Sequence, residues 1–421
     1  MKKTLTVLMI ALIAITTVFA GGAKEEKIQD RVVIWHSNSG ILGDTFDALV
    51  KNWNDTHDIQ IEAIYQGKAN DVLTKLKAAT MAGQSLPDIA QLDATAGLDM
   101  FYSEDLVPVE ALGVDTSDIL PVAYSAYDSS RGHLGVPFNS SSLLYYYNRT
   151  MFENAGVEVP TTLDELIAIA PEIKAANGVP ALSNVPTTYE LCTFLGAWEG
   201  GSYMADNRNG HDGVPTEVLF DDNGSFKAFL EKWSELYATG ALENLTSGVS
   251  SAFASGKTAS ILASSSNLTT IKANVGDRFE LGVARVPMVD ENATGGSNIG
   301  GGCLASFNDN PAVKEVIEYF IGPESQLYWA TETGYMPINM KAIESEEWKT
   351  LTEEDPLFSV AIEQAIASDE KVTGLWIPSG YQVYHSFQST IKEVLENGLT
   401  PDQAVENMRS MIEGAIRDYE I

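Results

Sequence analysis

The chain has 421 residues, 58 of them acidic against 26 basic, for a formal net charge of −32. A surface of that sign repels nucleic acid and anionic lipid, so no nucleic-acid partner is expected, and a buried anionic ligand would need a local cation or a helix terminus. Two cysteines exclude a disulfide-built scaffold, and the length implies two or three domains with a substantial core.

Residues 1–20 have the build of a cleaved signal peptide. Lys2 and Lys3 give a positive start, Leu5 to Phe19 an apolar run short of a bilayer span, and Val18-Phe19-Ala20 a small-residue cleavage site. No Cys follows that site, which argues against a lipid anchor, and no second long apolar stretch occurs. The mature protein is expected to be soluble in the periplasm or outside the cell. Arg31 to Trp35 reads as a buried strand, and Leu42, Phe46, Leu49, Val50 and Trp53 fall on one face of the helix that follows. Ile59, Ile61, Ala63 and Tyr65 alternate as a second strand. Asn70 is placed as the cap of a helix carrying Val72, Leu73, Leu76 and Ala79 and ending near Gly83, and Asp88 to Leu92 is a third strand. This β-α-β-α-β order predicts an α/β fold with an open, largely parallel sheet and crossover helices.

A second series begins after Leu143-Leu144-Tyr145-Tyr146-Tyr147. Thr162-Leu163-Asp164-Glu165 is a capping box, and further helices are expected around Phe226 to Tyr237 and Val249 to Ala254. Ser260 to Ala263 and Glu280 to Val286 read as strands, and Gly300-Gly301-Gly302 leads into another over Cys303 to Phe307. Asn310-Pro311 and Thr400-Pro401 each supply an N-cap followed by proline at the first helical position. The last helix is expected to bury Ala404, Val405, Met408, Met411, Ile412 and Ala415. No Pro/Ser linker separates the two series, so they read as lobes joined by ordered strands. Ligands in such sheets bind at the carboxyl ends of strands, where loops of both lobes converge. Cys192 and Cys303 fall in different lobes. Two buried free thiols are expected, since a bridge would freeze the lobes.

The chemistry-bearing motifs are few. His36, His57, His133, His211 and His385 show no metal-ligand spacing, and there is no G-x-S-x-G elbow or Walker loop. Asp206 to Gly210 and Asp221 to Gly224 read as turns: Arg208 interrupts the calcium-ligand alternation of the first, and no Glu completes the second. The triple glycine signals close backbone approach, to a ligand or to a packed neighbour. No catalytic pair, metal or cofactor is therefore expected. What remains is a set of small polar and aromatic residues after strands: Trp35-His36-Ser37-Asn38, Asn139-Ser140-Ser141-Ser142, Ser264-Ser265-Ser266, Gly334-Tyr335 and Trp376. That composition suits a site that recognises and releases.

At these segments the chain resembles the family 1 extracellular solute-binding proteins of ABC importers, and among them the glycerol-3-phosphate-binding proteins. The matches include Trp35-His36-Ser37, Pro137-Phe138-Asn139-Ser140-Ser141, Ala263-Ser264-Ser265, Ile299-Gly300-Gly301 and Thr333-Gly334-Tyr335-Met336-Pro337-Ile338, in order over nearly the whole mature chain. The resemblance implies a type II periplasmic binding protein with two α/β lobes, one of residues 27–145 plus 286–337 and one of 146–285 plus 338–421. Hinge crossings are expected near Leu143–Tyr147, Leu281–Val286 and Pro337–Asn339. It further implies a monomer that closes on a small molecule and presents it to the ABC permease subunits.

Carried over residue by residue, Ser141, Ser264, the backbone of Gly300 and Gly301, and Tyr335 stand where the family contacts ligand. Other positions depart. Ala69 stands for a tyrosine, Ala94 for a glutamate (with Asp93 beside it) and Val185 for a stacking tryptophan. Trp376, in Gly374-Leu375-Trp376, stands for the arginine that would hold the phosphate. Burying a phosphate dianion without a partner is prohibitive, whereas an indole offers its face to a sugar ring. The expected ligand is a neutral carbohydrate or polyol held by Ser37, Asp93, Ser141, Ser264, Gly300, Gly301, Tyr335 and Trp376. Glycerol-3-phosphate or a glycerophosphodiester is the alternative, and a secreted glycoside or phosphate-ester hydrolase is the reading from another class.

Overall fold

The computed structural model describes residues 30–198, 203–368, 371–378 and 380–417, so the expected leader lies outside the described residues. Among those residues, eight strands of four residues or more run in chain order: Arg31–His36 (β1), Gln60–Tyr65 (β2), Ile89–Asp93 (β3), Val136–Ser141 (β4), Leu143–Asn148 (β5), Ser260–Ser264 (β6), Leu281–Ala284 (β7) and Gly300–Ser306 (β8). The first sheet has the order β2-β1-β3-β8-β4. Its β1 is parallel to β2 and β3, with the helices Ile41–Thr56 and Ala69–Met81 as crossovers. The late strand β8 inserts antiparallel between β3 and β4, which carries the chain back into the first half after a long excursion. The second sheet, β6-β5-β7, is antiparallel throughout.

Alternation along the strands distributes the core. In β5 all six residues are buried. Leu143, Tyr145 and Tyr147 face one apolar cluster and Leu144 and Tyr146 the other, as a two-residue period requires of a strand covered on both sides. Under the first sheet, Phe46 of the helix Ile41–Thr56 stacks on Phe320 of the helix Pro311–Ile321, with centroids 5.2 Å apart. The capping chemistry follows the sequence in two places: Asn310 accepts from the Ala312 amide at 3.0 Å, and Thr162 from the Glu165 amide at 3.2 Å. At the second helix it differs. The helix starts at Ala69, and the Asp71 carboxylate accepts from the Lys68 amide at 2.8 Å, so Asn70 sits inside the first turn.

The chain passes out of the first sheet into the second through the single residue Ser142, next to the stretch Leu143–Tyr147 near which a crossing is expected. That crossing is held by buried polar groups. The Gln364 carboxamide donates to Ser142 Oγ at 3.0 Å and accepts from the Val286 amide at 2.6 Å. The Leu143 amide donates to Ser297 Oγ at 2.8 Å. One side chain thereby ties the outward crossing to the return crossing, and both are paid in hydrogen bonds that a buried backbone must find. Cys192 and Cys303 are both free and buried.

Candidate ligand-binding cleft

A cavity of about 270 Å³ lies between the two sheets. Asp93, Ser141 and Ser264, the last residues of β3, β4 and β6, line it together, so three strands deliver their carboxyl ends to one place. Gly300 and Gly301 at the start of β8, with Tyr335, complete the wall on the first sheet's side. Six of the eight residues expected from the sequence are therefore brought together. The facing wall is made of residues that the sequence reading did not assign to the site. Thr188, Tyr189 and Cys192 come from the first turns of the helix Thr188–Gly196, and Tyr384 from the helix Gly380–Asn397. Thr187 and Glu190 form a capping box at the start of the first of these helices, a sequence signal for where the helix begins but not for what it faces. Asn298, just before the triple glycine, also lines the cavity.

The polar groups divide into those already satisfied and those still open. Asp93 accepts from the Thr95 amide at 2.9 Å and from the Thr95 hydroxyl through one oxygen, and its second oxygen is uncommitted among the described residues. Burial raises its pKa above the usual carboxylate range, against the two Thr95 hydrogen bonds. Ser264 Oγ accepts from the Ser266 amide at 3.3 Å and the Ser266 hydroxyl at 3.0 Å. Thr188 donates to the Tyr384 carbonyl at 3.0 Å, and Thr187 to the Tyr384 hydroxyl at 3.1 Å. The Tyr189 hydroxyl is buried beside the Ser141 and Ser297 hydroxyls without a well-aligned hydrogen bond to either, and burial pushes its pKa upward against those two neighbours. Burial likewise lifts the Cys192 thiol to about 12, so it stays protonated. No Lys, Arg or His lines the cavity among the described residues, and Asp93 is the one carboxylate there.

The glycines act on packed neighbours. Gly301 has φ +100°, and a Cβ there would lie 1.7 Å from the Asn139 carbonyl oxygen. A Cβ on Gly300 would come within 2.9 Å of the Tyr189 ring and 3.0 Å of Ser141 Oγ, so glycine there lets the two halves meet. Behind them Gln91 ties the strand ends together. It accepts from the Ser37 amide at 3.1 Å and donates to Asn38 at 3.0 Å and to Asn139 at 3.2 Å; Asn139 in turn accepts from the Gly302 amide at 3.1 Å.

Two expected contacts differ. Ser37 belongs to that backing layer, with its amide committed to Gln91, and does not line the cavity. Trp376 is 1% exposed and does not line it either; Gly374 and Leu375 of the same segment do. Its ring stacks on His211, with centroids 3.8 Å apart and planes 12° off parallel. A Cβ on Gly97 would reach within 2.0 Å of its other side. Its amide donates to the Asn209 carbonyl at 2.7 Å. The indole is therefore sandwiched in the core, and its apolar face is not available to a sugar. The segment beside it, Asp206–Asn209, is a single short helical turn in which Asn207 and Arg208 leave helical φ/ψ, where a plain turn is expected from the sequence. The Asp206 carboxylate is spent on the Thr216 amide at 2.7 Å, the Glu217 amide at 3.0 Å and the Thr216 hydroxyl at 2.7 Å. His211 lies against the Asp128 and Gly374 carbonyls, and burial lowers its pKa to about 4, which keeps it neutral.

Comparison with known proteins gives a consistent picture. The profile of the bacterial extracellular solute-binding protein family matches residues 48–358. The chain is 26% identical to the sn-glycerol-3-phosphate-binding periplasmic protein UgpB of Yersinia pseudotuberculosis, across 97% of this chain and 96% of that one. It is also 26% identical to UgpB of Salmonella typhimurium, across 89% and 90% respectively. UgpB of Mycobacterium tuberculosis, solved with glycerophosphocholine, superposes with a TM-score of 0.78 at 21% identity, covering 92% of this chain and 99% of that one. The GacH receptor of Streptomyces glaucescens, solved unliganded and with acarbose, superposes with a TM-score of 0.77 at 21% identity, covering 94% and 100%. The shared fold is that of the type II periplasmic binding proteins.

Proposed function

We propose that this chain, which belongs to the bacterial extracellular solute-binding proteins, captures an uncharged carbohydrate or polyol in the cavity between its sheets and delivers it to an ABC permease. The observation that carries the ligand class is the charge of the cavity: one desolvated carboxylate and no cation among the described residues that line it. A phosphate ester would meet Asp93 with no cation opposite it, and the N-terminus of the helix Thr188–Gly196 already holds its own Glu190 carboxylate, which accepts from the Thr187 amide at 2.8 Å. A sugar instead brings hydroxyl donors for the open oxygen of Asp93 and a better-aligned partner for the Tyr189 hydroxyl, which lies beside Ser141 and Ser297 without a well-formed bond. Tyr335 and Tyr384 supply apolar faces with polar edges, and Ser141, Ser264 and Asn298 the remaining polar contacts.

The two lobes meet at the crossings pinned by Gln364, and the closed form gains from ligand only through contacts made in both halves. A leader of residues 1–20 would deliver the chain outside the cytoplasm. The names of the relatives favour a second reading, glycerol-3-phosphate or a glycerophosphodiester in the same cavity. The hydrolase reading lacks support: a glycosidase needs two carboxylates across its cleft, and here one is present among the lining residues described. The protein binds without turning its ligand over.

Calorimetry with neutral saccharides and polyols, glycerol-3-phosphate and glycerophosphocholine tests this. A neutral ligand is expected to bind saturably, and its affinity is expected to fall on acidification. Asp93 accepts hydroxyl bonds as a carboxylate, and its raised pKa places protonation at higher pH than for an ordinary aspartate. Affinity is therefore full above that pKa and is lost as pH falls through it. Asp93→Asn should weaken binding about 10- to 100-fold, the worth of a hydrogen bond to a charged group, and flatten the pH profile. Tight binding of glycerol-3-phosphate without any neutral ligand would contradict the reading.

A further inference from the structure

We propose that the short turn around Arg208 is a clasp that fastens the two sheet-bearing halves to each other without ligand, so that the unliganded protein rests closed. The chain joins the halves at the crossings beside Gln364. The clasp joins them a second time, through residues that do not line the ligand cavity. It is fixed in the half that carries the second sheet. Asn209 Oδ1 accepts from the Met204 and Ala205 amides at 2.6 and 3.1 Å, and Ala205 bridges to Val218. Arg409 of the helix Pro401–Arg417 donates to the Val218 and Phe220 carbonyls at 3.1 and 2.6 Å, and Phe220 is buried in the cluster that takes Tyr145 and Tyr147 of β5. Its partners belong to the other half. Asp128 opens the small hairpin of Asp128–Ser129 with Gly132–His133, and Tyr127 beside it donates to the Gly301 carbonyl of β8 at 2.9 Å. Tyr102 ends the helix Gly97–Tyr102, which follows β3.

The seam between the halves is both bonded and packed. Arg208 Nη1 donates to Asp128 Oδ2 at 3.0 Å, while its Nε donates to Asp212 Oδ2 at 3.0 Å and so fixes the direction of the guanidinium. His211 Nδ1 lies 2.9 Å from the Asp128 carbonyl oxygen, and the Val214 amide donates to the Tyr102 hydroxyl at 3.1 Å. The Trp376 ring fills the space between His211 of one half and Gly97 of the other. The backbone is the independent sign. Asn207, Arg208 and Asn209 have φ of 50°, 51° and 58°, three successive residues in the left-handed region, none of them glycine. Such conformations cost energy and persist only where the surroundings impose them. Here they bring Arg208 and His211 onto one residue of the opposite half, Asp128. The Arg208–Asp128 pair is 42% and 41% exposed, so it adds little to folding stability. The open and closed forms of a hinged protein differ by far less free energy than the folded and unfolded forms, and a contact made only in the closed form acts on that smaller difference.

The test is small-angle X-ray scattering of the unliganded protein: wild type, Arg208→Glu, Asp128→Asn and the charge swap Arg208→Glu with Asp128→Arg. The wild-type profile should match the closed arrangement described above. Arg208→Glu sets a carboxylate against both Asp128 and Asp212, and it should raise the radius of gyration and the maximum dimension while leaving the circular dichroism spectrum unchanged. The charge swap should bring both dimensions back. Asp128→Asn keeps the shape and the backbone carbonyl, so it should expand the protein less than Arg208→Glu; it carries the test if Arg208→Glu does not fold. A wild type already more extended than the closed arrangement would overturn the clasp. So would variants as compact as the wild type, or an expansion that the charge swap leaves in place. No ligand enters the experiment, so its outcome is independent of the carbohydrate reading.

Discussion

Trp376→Ala is expected to lower folding stability by about 3–5 kcal/mol, the usual cost of emptying a large aromatic site in a packed core. The ring is 1% exposed and lies between the His211 imidazole and the backbone of Gly97, so the cavity left behind cannot close by a simple side-chain shift. Trp376→Phe should recover most of the loss. It keeps a ring over His211 and forfeits no hydrogen bond, because the indole Nε1 is buried without a partner. Denaturant titration of the two variants reads this directly. A ligand-stacking role makes the opposite forecast, a weakened dissociation constant with unchanged stability, and that pattern would return Trp376 to the cleft.

Gly301→Val should cost more than about 3 kcal/mol, because two penalties coincide: a left-handed backbone that a β-branched residue rarely adopts and a steric overlap that nothing can relieve. The φ of +100° and the 1.7 Å approach of a Cβ to the Asn139 carbonyl both fall on a strand that pairs with β4. Gly301 faces Ser140 and Gly300 faces Ser141 in that ladder, so the distortion opens the cavity wall as well as the sheet. Gly300→Ala is the informative companion. Its Cβ would press on the Tyr189 ring at 2.9 Å, so it should leave the denaturation midpoint closer to wild type while impairing ligand binding. A wild-type midpoint for Gly301→Val would remove the backbone argument.

Local patterns specified much of this architecture in advance. The apolar run at Arg31–His36, the period of the helix Ile41–Thr56 and the Asn310-Pro311 start are short-range features, and they form where the residues put them. Ser141 and Ser264 were recognisable in small polar runs that match the family's ligand contacts, and Asp93 by its place beside the Ala94 that stands for the family's glutamate; the structure adds that each ends a strand. The indole of Trp376 was not, since its surroundings come from Gly97 and His211, far away in the chain. That stack depends on a loop in which Asn207, Arg208 and Asn209 all have positive φ, a run that no propensity forecasts. Tyr189 and Tyr384 escaped for a related reason: a tyrosine near a helix start carries no mark that separates a cavity wall from a core. Met411 shows the converse. Helical period assigns it to the core, and only the facing helix Ala69–Met81 shows that its side opens on a cavity.

The most direct measurement is a crystal structure of the protein with the neutral saccharide that binds it most tightly. The account predicts a sugar ring in the cavity between the sheets, one hydroxyl on the open carboxylate oxygen of Asp93 and another at the Tyr189 hydroxyl. A phosphate-bearing ligand in that cavity, clasped by a lysine or arginine drawn in from outside the lining residues, would contradict it.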